Sequence, residues 1–496
     1  MVGIIARKEL LDQVSSPKFV FLFVVSALLI VFSLFTGSAS YVSARDELRS
    51  TETLSRREIE GRQSYQELSQ FGVKVARPPS PLSSVAAGVS SALGRSARVR
   101  PGQQPDIAPP PVADQPVIAV LGELDFSVVA RVFLSLFVLL LTYNAIAGEK
   151  ESGTLKAVLA NPVPRTQLLL GKALGLFATF LGATAIPAVL GLLVMKLGFK
   201  IELSGADWMR LVFVGIVCGL YLLAIFTTGL FVSTATTRSS VAFLVLLLIL
   251  VGFTEVIPKA SPMLARLFRP APAYAELQSE RDRLQNENQR ASFRAMSGAF
   301  ALMGTPVNNE AEAAVRQAKI DSIMNRSRDS LARELREAQS RVEESYRNKQ
   351  DAMTSLALGI SRLSPAAAMS HATEVMAGTD FDLHRRWRDE LIGYRGTLED
   401  WLKSKGVEFG SGARFAIRLN TTTTGGPGGG SNTVHIGGPS NDDARLDLST
   451  MPTYRPRTEA FASALGRAAP DMVILGLWSA VMMMLAFWKF LRYDVR

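Results

Sequence analysis

The sequence predicts an all-α membrane protein that crosses the bilayer six times. Its 496 residues are 48% hydrophobic and only 20% charged, and the apolar residues are concentrated in blocks. A helix rises about 1.5 Å per residue and the hydrocarbon layer is about 30 Å thick, so roughly 17 to 25 residues span it. Six blocks reach that length with their weakly polar flanks: 19–35, 132–147, 168–195, 211–232, 241–253 and 472–488.

Two of these blocks allow another interpretation. The first resembles a cleaved signal peptide, but its apolar run of about 17 residues exceeds the usual 7–15, which favours an uncleaved span. Block 241–253 is short enough to be a buried core helix. The adjoining Ser239, Ser240 and Thr254 extend it to near spanning length, so we interpret it as a span.

The predicted organisation follows from these blocks. The six spans cover 19–36, 126–147, 168–195, 210–232, 240–257 and 472–490. The remaining segments are an amphipathic lead-in helix (1–18), a first outer segment (37–125), a coupling loop (148–167), a short outer loop (196–209), a turn (233–239), a second outer segment (258–471) and a tail (491–496).

The distribution of Lys and Arg predicts the orientation, because short cytoplasmic flanks carry an excess of these residues. They cluster at one set of span ends: Arg7, Lys8, Lys18, Lys150, Lys156, Arg165, Lys172, Arg238, Lys489, Arg492 and Arg496. We therefore expect both termini and the coupling loop in the cytoplasm. The net charge of +10 is explained by this orientation and by solvated helices, and it requires no nucleic acid as a partner.

The two outer segments are predicted to be mostly helical. Residues 39–70 are rich in Glu, Arg, Gln and Leu, and we expect their helix to be ended by Pro78, Pro79 and Pro81. Residues 311–357 carry an apolar stripe at helical spacing, and two such helices would bury each other as an antiparallel hairpin. A short strand is expected at 414–419, before a loop rich in Gly and Thr.

The chain lacks the motifs of an enzyme active site. In GEKESGT, Gly148 and Gly153 have the spacing of a phosphate-binding loop, but Thr154 and Leu155 follow where such a loop requires Lys and then Ser or Thr. We therefore expect no ATP hydrolysis by this chain. Its histidines form no metal-ligand pattern, so no metal site and no cofactor are expected; they are His371, His384 and His435.

Charged residues in the spans lie near the ends of the apolar blocks, where they can reach the interface; they are Arg131, Lys172, Glu255 and Lys489. Ion-coupled carriers generally need charges at mid-depth, so the energy source is expected outside this chain. Two glycine pairs, Gly171 with Gly175 and Gly215 with Gly219, have the spacing that lets helices approach closely. We interpret both pairs as packing devices.

The connector between the second and third spans is the most informative stretch. Residues 154–159 can form about two helical turns before Pro162 and Pro164 stop them. Such a rigid element could transmit force from a cytoplasmic partner, or it could merely reverse the chain. Its sequence, AGEKESGTLKAVLANPVPRTQLLLGKALG, resembles the same connector in type-2 ATP-binding-cassette (ABC-2) transporter permeases, with their Glu, Gly-Thr-Leu, Pro-x-x-Arg and Gly-Lys elements.

Other stretches resemble the same family and extend over almost the whole chain: IARKELLDQVSSPKF, RPPSPLS, LSPAAAMSHATEVMAGTD and FLRYDVR. The resemblance implies a six-helix permease subunit of the bacterial inner (plasma) membrane, from a subgroup with enlarged outer loops. Such a subunit pairs with a second permease, a copy of itself or a related chain. It also binds two separate cytoplasmic ATPase subunits, which carry ATP and magnesium.

The resemblance also implies a role for the connector. A coupling helix docking on the ATPase would lie at or near Glu149, Glu151, Gly153, Thr154 and Leu155, and its exit would be shaped by Asn161, Pro162 and Arg165. The lead-in helix would lie along the inner membrane surface.

From these observations we expect an ATP-driven exporter, whose apolar spans favour an amphipathic or lipid-linked cargo over a small ion. One alternative is a mechanical transmitter, in which the same spans move the outer segments against a periplasmic partner and nothing crosses the bilayer. A membrane-anchored scaffold without an ATPase is another, and it would tolerate changes in the connector.

Overall fold

A computed structural model describes residues 2–90, 92–109, 124–160, 164–303, 310–407, 416–420, 433–437 and 446–493. In these ranges, six helices are long and apolar enough to cross a membrane: Pro17–Glu60, Phe126–Glu151, Arg165–Gly198, Gly205–Ala235, Ser239–Phe268 and Phe461–Leu491. Helices dominate the described chain, and its strands are short. The predicted fold class, an all-α membrane protein with six spans, is therefore confirmed.

The helices are numbered here in chain order: α1 (Val2–Val14), α2 (Pro17–Glu60), α3 (Tyr65–Phe71), α4 (Ser135–Thr142), α5 (Ala147–Glu151), α6 (Thr154–Leu159), α7 (Arg165–Leu193), α8 (Gly205–Ala235), α9 (Ser239–Val251), α10 (Ile257–Phe268), α11 (Tyr274–Met303), α12 (Glu310–Ser361), α13 (Pro365–Ala377), α14 (Phe381–Ser404) and α15 (Phe461–Leu491). Three π-helical turns extend or join these helices. Val129–Leu134 leads into α4, Val194–Gly198 continues α7, and Gly252–Val256 joins α9 to α10.

Helix α2 starts at a well-formed cap and runs far beyond the first span. Ser16 accepts a hydrogen bond from the backbone N–H of Phe19 (3.2 Å), and Pro17 occupies the first turn, where its missing N–H costs nothing. The helix ends at Glu60, so the expectation that the prolines at 78–81 end it is wrong. After Gly61 the chain starts the separate helix α3, and strand β1 (Val73–Ala76) comes before those prolines.

The bundle core lies where the spanning helices meet. Phe137 and Phe180 are buried there with their ring centroids 5.4 Å apart. Tyr221 of α8 is also buried; its hydroxyl donates to the carbonyl of Arg131 (2.9 Å) and accepts a hydrogen bond from Ser135 Oγ (2.7 Å). The Arg131 carbonyl belongs to a π turn, where the helical hydrogen-bond ladder is displaced, and Tyr221 supplies it with a donor.

Helix α13 is buried at one end of the bundle, against the π turns before α4 and after α9. We call this the domain end, and the opposite end, which carries the connector, the connector end. Ser364 caps α13 by accepting from the N–H groups of Ala366 (3.1 Å) and Ala367 (3.3 Å). The same hydroxyl donates to the carbonyl of Phe253 (2.5 Å), which anchors α13 to the fifth span.

Where the structure describes them, the two segments predicted to be outer (37–125 and 258–471) form a helical hairpin and a small mixed unit. Arg281, near the start of α11, pairs with Glu343, in the second half of α12, and the two helices pack along each other as the predicted antiparallel hairpin. In the mixed unit, β1 pairs with β2 (Ser96–Val99) and β2 with β3 (Asp106–Ile107), both antiparallel, over a core that includes Trp387 of α14. The strand predicted at 414–419 is β4 (Ala416–Asn420), and it pairs with β5 (Thr433–Gly437).

Candidate functional site

The connector forms two short helices that pack on the bundle. Helix α5 is followed by Gly153, which has a φ of 75° and stands at the N-cap of α6. This left-handed conformation costs glycine little because it has no Cβ. Leu155 of α6 is completely buried and packs with Ile146 and Leu168. The connector is therefore a folded element with its own contacts to the spans.

Ser233, near the end of the fourth span, holds the start of the connector. Its hydroxyl accepts hydrogen bonds from the backbone N–H groups of Ile146 and Ala147, both at 3.0 Å, and donates to the carbonyl of Tyr143 (3.1 Å). The first N–H groups of a helix have no partner within the helix, and here a side chain from another span supplies one. Since Ser233 is itself buried, this contact fixes α5 to α8.

Lys150 and Glu151 bind the two helix ends on either side of the turn between the fourth and fifth spans. Lys150 Nζ donates to the carbonyls of Thr234 and Thr236, the latter at 3.1 Å, at the C-terminus of α8. Glu151 Oε2 accepts from the N–H of Ser239 (2.9 Å), the first residue of α9. A cation is stabilised at a helix C-terminus and an anion at an N-terminus, so both charges match the helix dipoles they face.

Lys172 lies at the centre of a buried ion triad. Its ammonium group is 2.8 Å from a carboxylate oxygen of Glu149 and 3.1 Å from one of Glu9. Only 8% of the Lys172 side chain is exposed. Two carboxylates from other elements pair with the lysine inside the protein. The triad joins α1, the connector and α7.

Helix α1 packs against α7 through the first glycine pair. A Cβ atom at Gly171 would lie 2.7 Å from Cβ of Ile5, and one at Gly175 would lie 2.6 Å from the carbonyl oxygen of Ala6. Both distances are too short for real Cβ contacts, so only glycine permits this approach. The packing role predicted for this pair is confirmed, and its partner is the lead-in helix.

The second glycine pair behaves differently. A Cβ atom at Gly215 or Gly219 would meet no atom within 4 Å in the part of the chain that the structure describes. These two glycines therefore have no close-packing partner within those ranges.

The exit of the connector is tied to the sixth span. Arg165 Nη1 donates to the carbonyls of Leu491 (2.8 Å) and Tyr493 (2.9 Å) at the C-terminus of α15. Asn161 and Pro162, which were predicted to shape this exit, lie outside the described residues. The structure thus places Glu149, Glu151, Gly153, Thr154, Leu155 and Arg165 at one end of the bundle.

The outward face of the connector is polar. Glu151, Ser152, Gly153, Thr154 and Lys156 are exposed, whereas Leu155 points into the bundle. Ser152 Oγ and Thr154 Oγ1 lie 2.9 Å apart and form a hydrogen bond on this face. The described part of the connector therefore presents a polar surface away from the bundle.

Four residues of the site were not predicted from the sequence: Glu9, Lys150, Lys172 and Ser233. A lysine inside an apolar block is a signal in itself, because a charge in such a position usually has a partner. No local pattern identifies that partner, since Glu9 precedes Lys172 by 163 positions. Ser233 carried no distinguishing signal, because serine is common in membrane-spanning helices.

Comparison with known proteins agrees with the resemblance of the connector. A model of the family described as ABC-2 family transporter protein matches residues 4–495. The chain is also 54% identical over 46 residues to a protein of Pseudomonas aeruginosa named "Probable ABC transporter permease protein NosY". That match covers 9% of this chain and 17% of the relative, so the chain spans less than a fifth of the length of this curated relative.

The family match covers nearly the whole chain and agrees with the six spanning helices. The protein is a multi-pass membrane protein, of a kind that lies in the inner membrane in bacteria. Within an ABC transporter it is the membrane component, distinct from the ATPase. The chain belongs to the ABC-2 family of transporter proteins.

Proposed function

We propose that this chain is the permease subunit of an ATP-driven exporter and that its connector receives a separate cytoplasmic ATPase subunit. The observation that supports this most is the fixation of the connector by charged contacts. Glu149 binds Lys172 of α7, Lys150 binds the end of α8, and Glu151 binds the start of α9. A push on the connector therefore reaches three spans, whereas a flexible loop would dissipate it.

The proposed cycle uses this connection. ATP and magnesium bind in the partner subunit, and its closure displaces the connector together with the spans attached to it. Two permeases, copies or relatives of each other, form the path between them and alternate its access from one side of the membrane to the other. The exposed residues from Ser152 to Lys156 form the surface on which the ATPase docks in this proposal.

The docking surface is tested by blocking it. A variant with Thr154→Cys is modified with a bulky maleimide, and binding of the purified ATPase is measured. Cys218 is buried and is replaced by Ala, so that the new thiol is the only one. The matched control is Lys200→Cys, an exposed position on the short loop at the domain end.

We expect modification at Thr154→Cys to abolish ATPase binding and modification at Lys200→Cys to leave it intact. Equal binding after modification at both positions would contradict docking at the connector. Unchanged ATPase turnover as well would support the membrane scaffold.

A second candidate function, mechanical transmission, is favoured by the contacts at the domain end. Arg362, in the link between α12 and α13, makes a two-pronged hydrogen bond to Asp471 of the sixth span, at 2.7 and 3.1 Å. Asp471 is only 1% exposed. Arg467, also on α15, binds Asp380 before α14 and Glu459, the latter at 2.7 Å. The sixth span is thus ionically joined to the outer segments, so its movement would carry them.

Transmission is tested with spin labels at Phe293→Cys in the two permeases of a reconstituted complex. The distance between the two labels is measured by double electron–electron resonance. If the outer hairpin is driven, the distance changes on addition of ATP. The substitution Arg362→Met reduces that change while ATPase turnover persists. A distance that does not respond to ATP in a complex that hydrolyses it would rule out transmission through this hairpin.

A further inference from the structure

We propose that α10 is an anchor at the outer face of the membrane in which the spans lie: its apolar face inserts into the head-group region of the bilayer, and Arg266 on this helix and Arg269 directly after it bind anionic phospholipid head groups. Helix α10 is the last part of the fifth spanning helix, Ser239–Phe268, and precedes the hairpin. The proposal does not depend on the ATPase or on the direction of transport.

The first observation is that the apolar face of α10 points away from the protein. Met263 is 72% exposed, and Leu267 and Phe268 are each 74% exposed. The residues that α10 buries are small ones, Ser261 and Ala265. A helix that packs on its protein normally buries its large apolar side chains. This arrangement therefore indicates an apolar environment next to the face of α10 that points away from the protein.

The second observation is that this face continues the lipid-facing side of the fifth span. Leu248 and Val251 of α9 are exposed, and so is Val256 at the end of the π turn. A π turn inserts one residue, which rotates everything after it by about 100°. Val251 and Val256, five residues apart, therefore share a face. Met263 and Leu267 follow at spacings of seven and four and extend the same stripe.

The third observation is length. The span Ser239–Phe268 has 30 residues, and at about 1.5 Å per residue it measures about 45 Å. A bilayer with both head-group regions is about 40–45 Å thick. Ser239 is bound to Glu151 at the connector end. The opposite end, with Leu267 and Phe268, then lies at the level of the far head groups.

The charged residues at the end of α10 indicate what kind of surface it contacts. Arg266 and Arg269 are exposed, and neither forms an ion pair with a residue that the structure describes. Arginines beside large apolar side chains at the end of a spanning helix are typical of the membrane interface, where their charged groups reach the head groups. The arginines bind phosphate and the apolar side chains enter the acyl boundary, so an anionic phospholipid surface fits both features.

The test is the collision accessibility of spin labels on the full-length protein in nanodiscs, in a Cys218→Ala background. Labels are placed singly at Met263→Cys and Leu267→Cys. Leu248→Cys serves as the lipid-facing control, and Phe293→Cys, an exposed residue of α11, as the water-facing control. All four positions are exposed, so the labels should not disturb folding. Oxygen reports contact with lipid, and a water-soluble nickel chelate reports contact with water.

We expect the oxygen-to-nickel ratio at Met263 and Leu267 to match that at Leu248 and to exceed that at Phe293 several-fold. A ratio equal to that at Phe293 would overturn the proposal, because the face would then be in water. Low accessibility of these labels to both oxygen and the nickel chelate, which rises when the sample is diluted with unlabelled protein, would also overturn the proposal. The face would then contact a second copy of the chain.

A second arm tests the head-group contact. The mobility of a label at Leu267→Cys is compared in discs of phosphatidylglycerol and of phosphatidylcholine. We expect slower motion in phosphatidylglycerol, and we expect the difference to disappear in the double variant Arg266→Gln with Arg269→Gln. Equal mobility in both lipids before that change would contradict the binding of anionic head groups.

Discussion

The ammonium group of Lys172 lies 2.8 Å from the carboxylate of Glu149 and links the third span directly to the connector. Glu9 of the lead-in helix completes the contact at 3.1 Å. Two carboxylates share one cation in a largely buried site, so removal of any one of the three side chains leaves a buried charge without its partner. The triad is therefore a point where the stability of the permease and the position of its connector depend on the same contacts.

Replacement of Lys172 tests this dependence. The change Lys172→Met keeps the apolar stem but leaves Glu9 and Glu149 facing each other without a cation. We expect a loss of about 3 kcal/mol in the free energy of unfolding, the lower end for removing one partner of a buried ion pair. Thermal unfolding in detergent measures it.

The matched control is Lys156→Met, which changes an exposed lysine of the same connector and should stay within about 0.5 kcal/mol of the parent. Adding Glu149→Gln to Lys172→Met should recover part of the loss, because it relieves the repulsion between the carboxylates. Equal stability of the Lys172→Met and Lys156→Met proteins would show that the triad contributes nothing.

Gly175→Ala tests the close packing of the lead-in helix α1 on α7. The new Cβ would lie 2.6 Å from the carbonyl oxygen of Ala6 and 2.8 Å from Cβ of Glu9, so α1 must move away from α7. Overpacking of this kind costs about 1–3 kcal/mol. We expect faster tryptic cleavage at Arg7 and Lys8. Gly182→Ala on the same helix meets no atom of the described residues within 4 Å and serves as the control. Identical cleavage rates in the two variants would contradict the close packing.

Ser233→Ala removes the side chain that holds the start of the connector. The N–H groups of Ile146 and Ala147 lose their acceptor, and we expect a cost of about 1–2 kcal/mol, as for the loss of a helix cap. Hydrogen exchange at these two amides should accelerate, while amides in the middle of α8 keep their protection. Slow exchange at Ile146 and Ala147 in the variant would mean that another group accepts hydrogen bonds from these two amides.

A pH dependence is expected at the domain end. Burial, reinforced by the nearby Asp125 and Asp380 and opposed by Arg131, raises the pKa of Glu374 on α13 to about 8 from its ordinary value of 4.5. The folded state thus favours the protonated acid. Its contribution to stability is full below the unfolded pKa and is lost as the pH rises toward about 8.

Thermal unfolding between about pH 6 and about pH 9 checks this expectation. The parent protein should lose stability relative to Glu374→Gln over that interval. Glu202→Gln, at an exposed position of the short loop, should follow the parent. Parallel curves for the parent and Glu374→Gln would show that Glu374 does not titrate in this range.

The sequence was sufficient for the spans, because lipid requires long apolar runs, and for the hairpin, because its apolar stripe has helical spacing. It was insufficient to predict where a helix ends when that helix continues beyond the hydrocarbon layer. Helix α2 continues past the apolar block to Glu60, because leaving the hydrocarbon layer does not itself end a helix. The helix ends only at its C-cap, Gly61. The fifth span likewise passes through a π turn into α10.

Within the site, residue types were predictable and their partners were not. The glycine spacing on α7 indicated a close approach, but a spacing does not identify the approaching helix, and the same spacing on α8 has no partner among the described residues. Glu151 was expected at the docking surface, yet its carboxylate also binds the N-terminus of α9. Such contacts depend on the tertiary fold and leave no local pattern in the sequence.

The proposed function requires the connector to face the cytoplasm, where an ATPase can reach it. The most direct measurement places a cysteine at Ser152, an exposed residue between α5 and α6, in the Cys218→Ala background, and labels it with a membrane-impermeant maleimide. Labelling is predicted in inverted inner-membrane vesicles and not in intact cells, and added ATPase should suppress it. Labelling from outside intact cells would contradict the orientation and, with it, the proposed coupling.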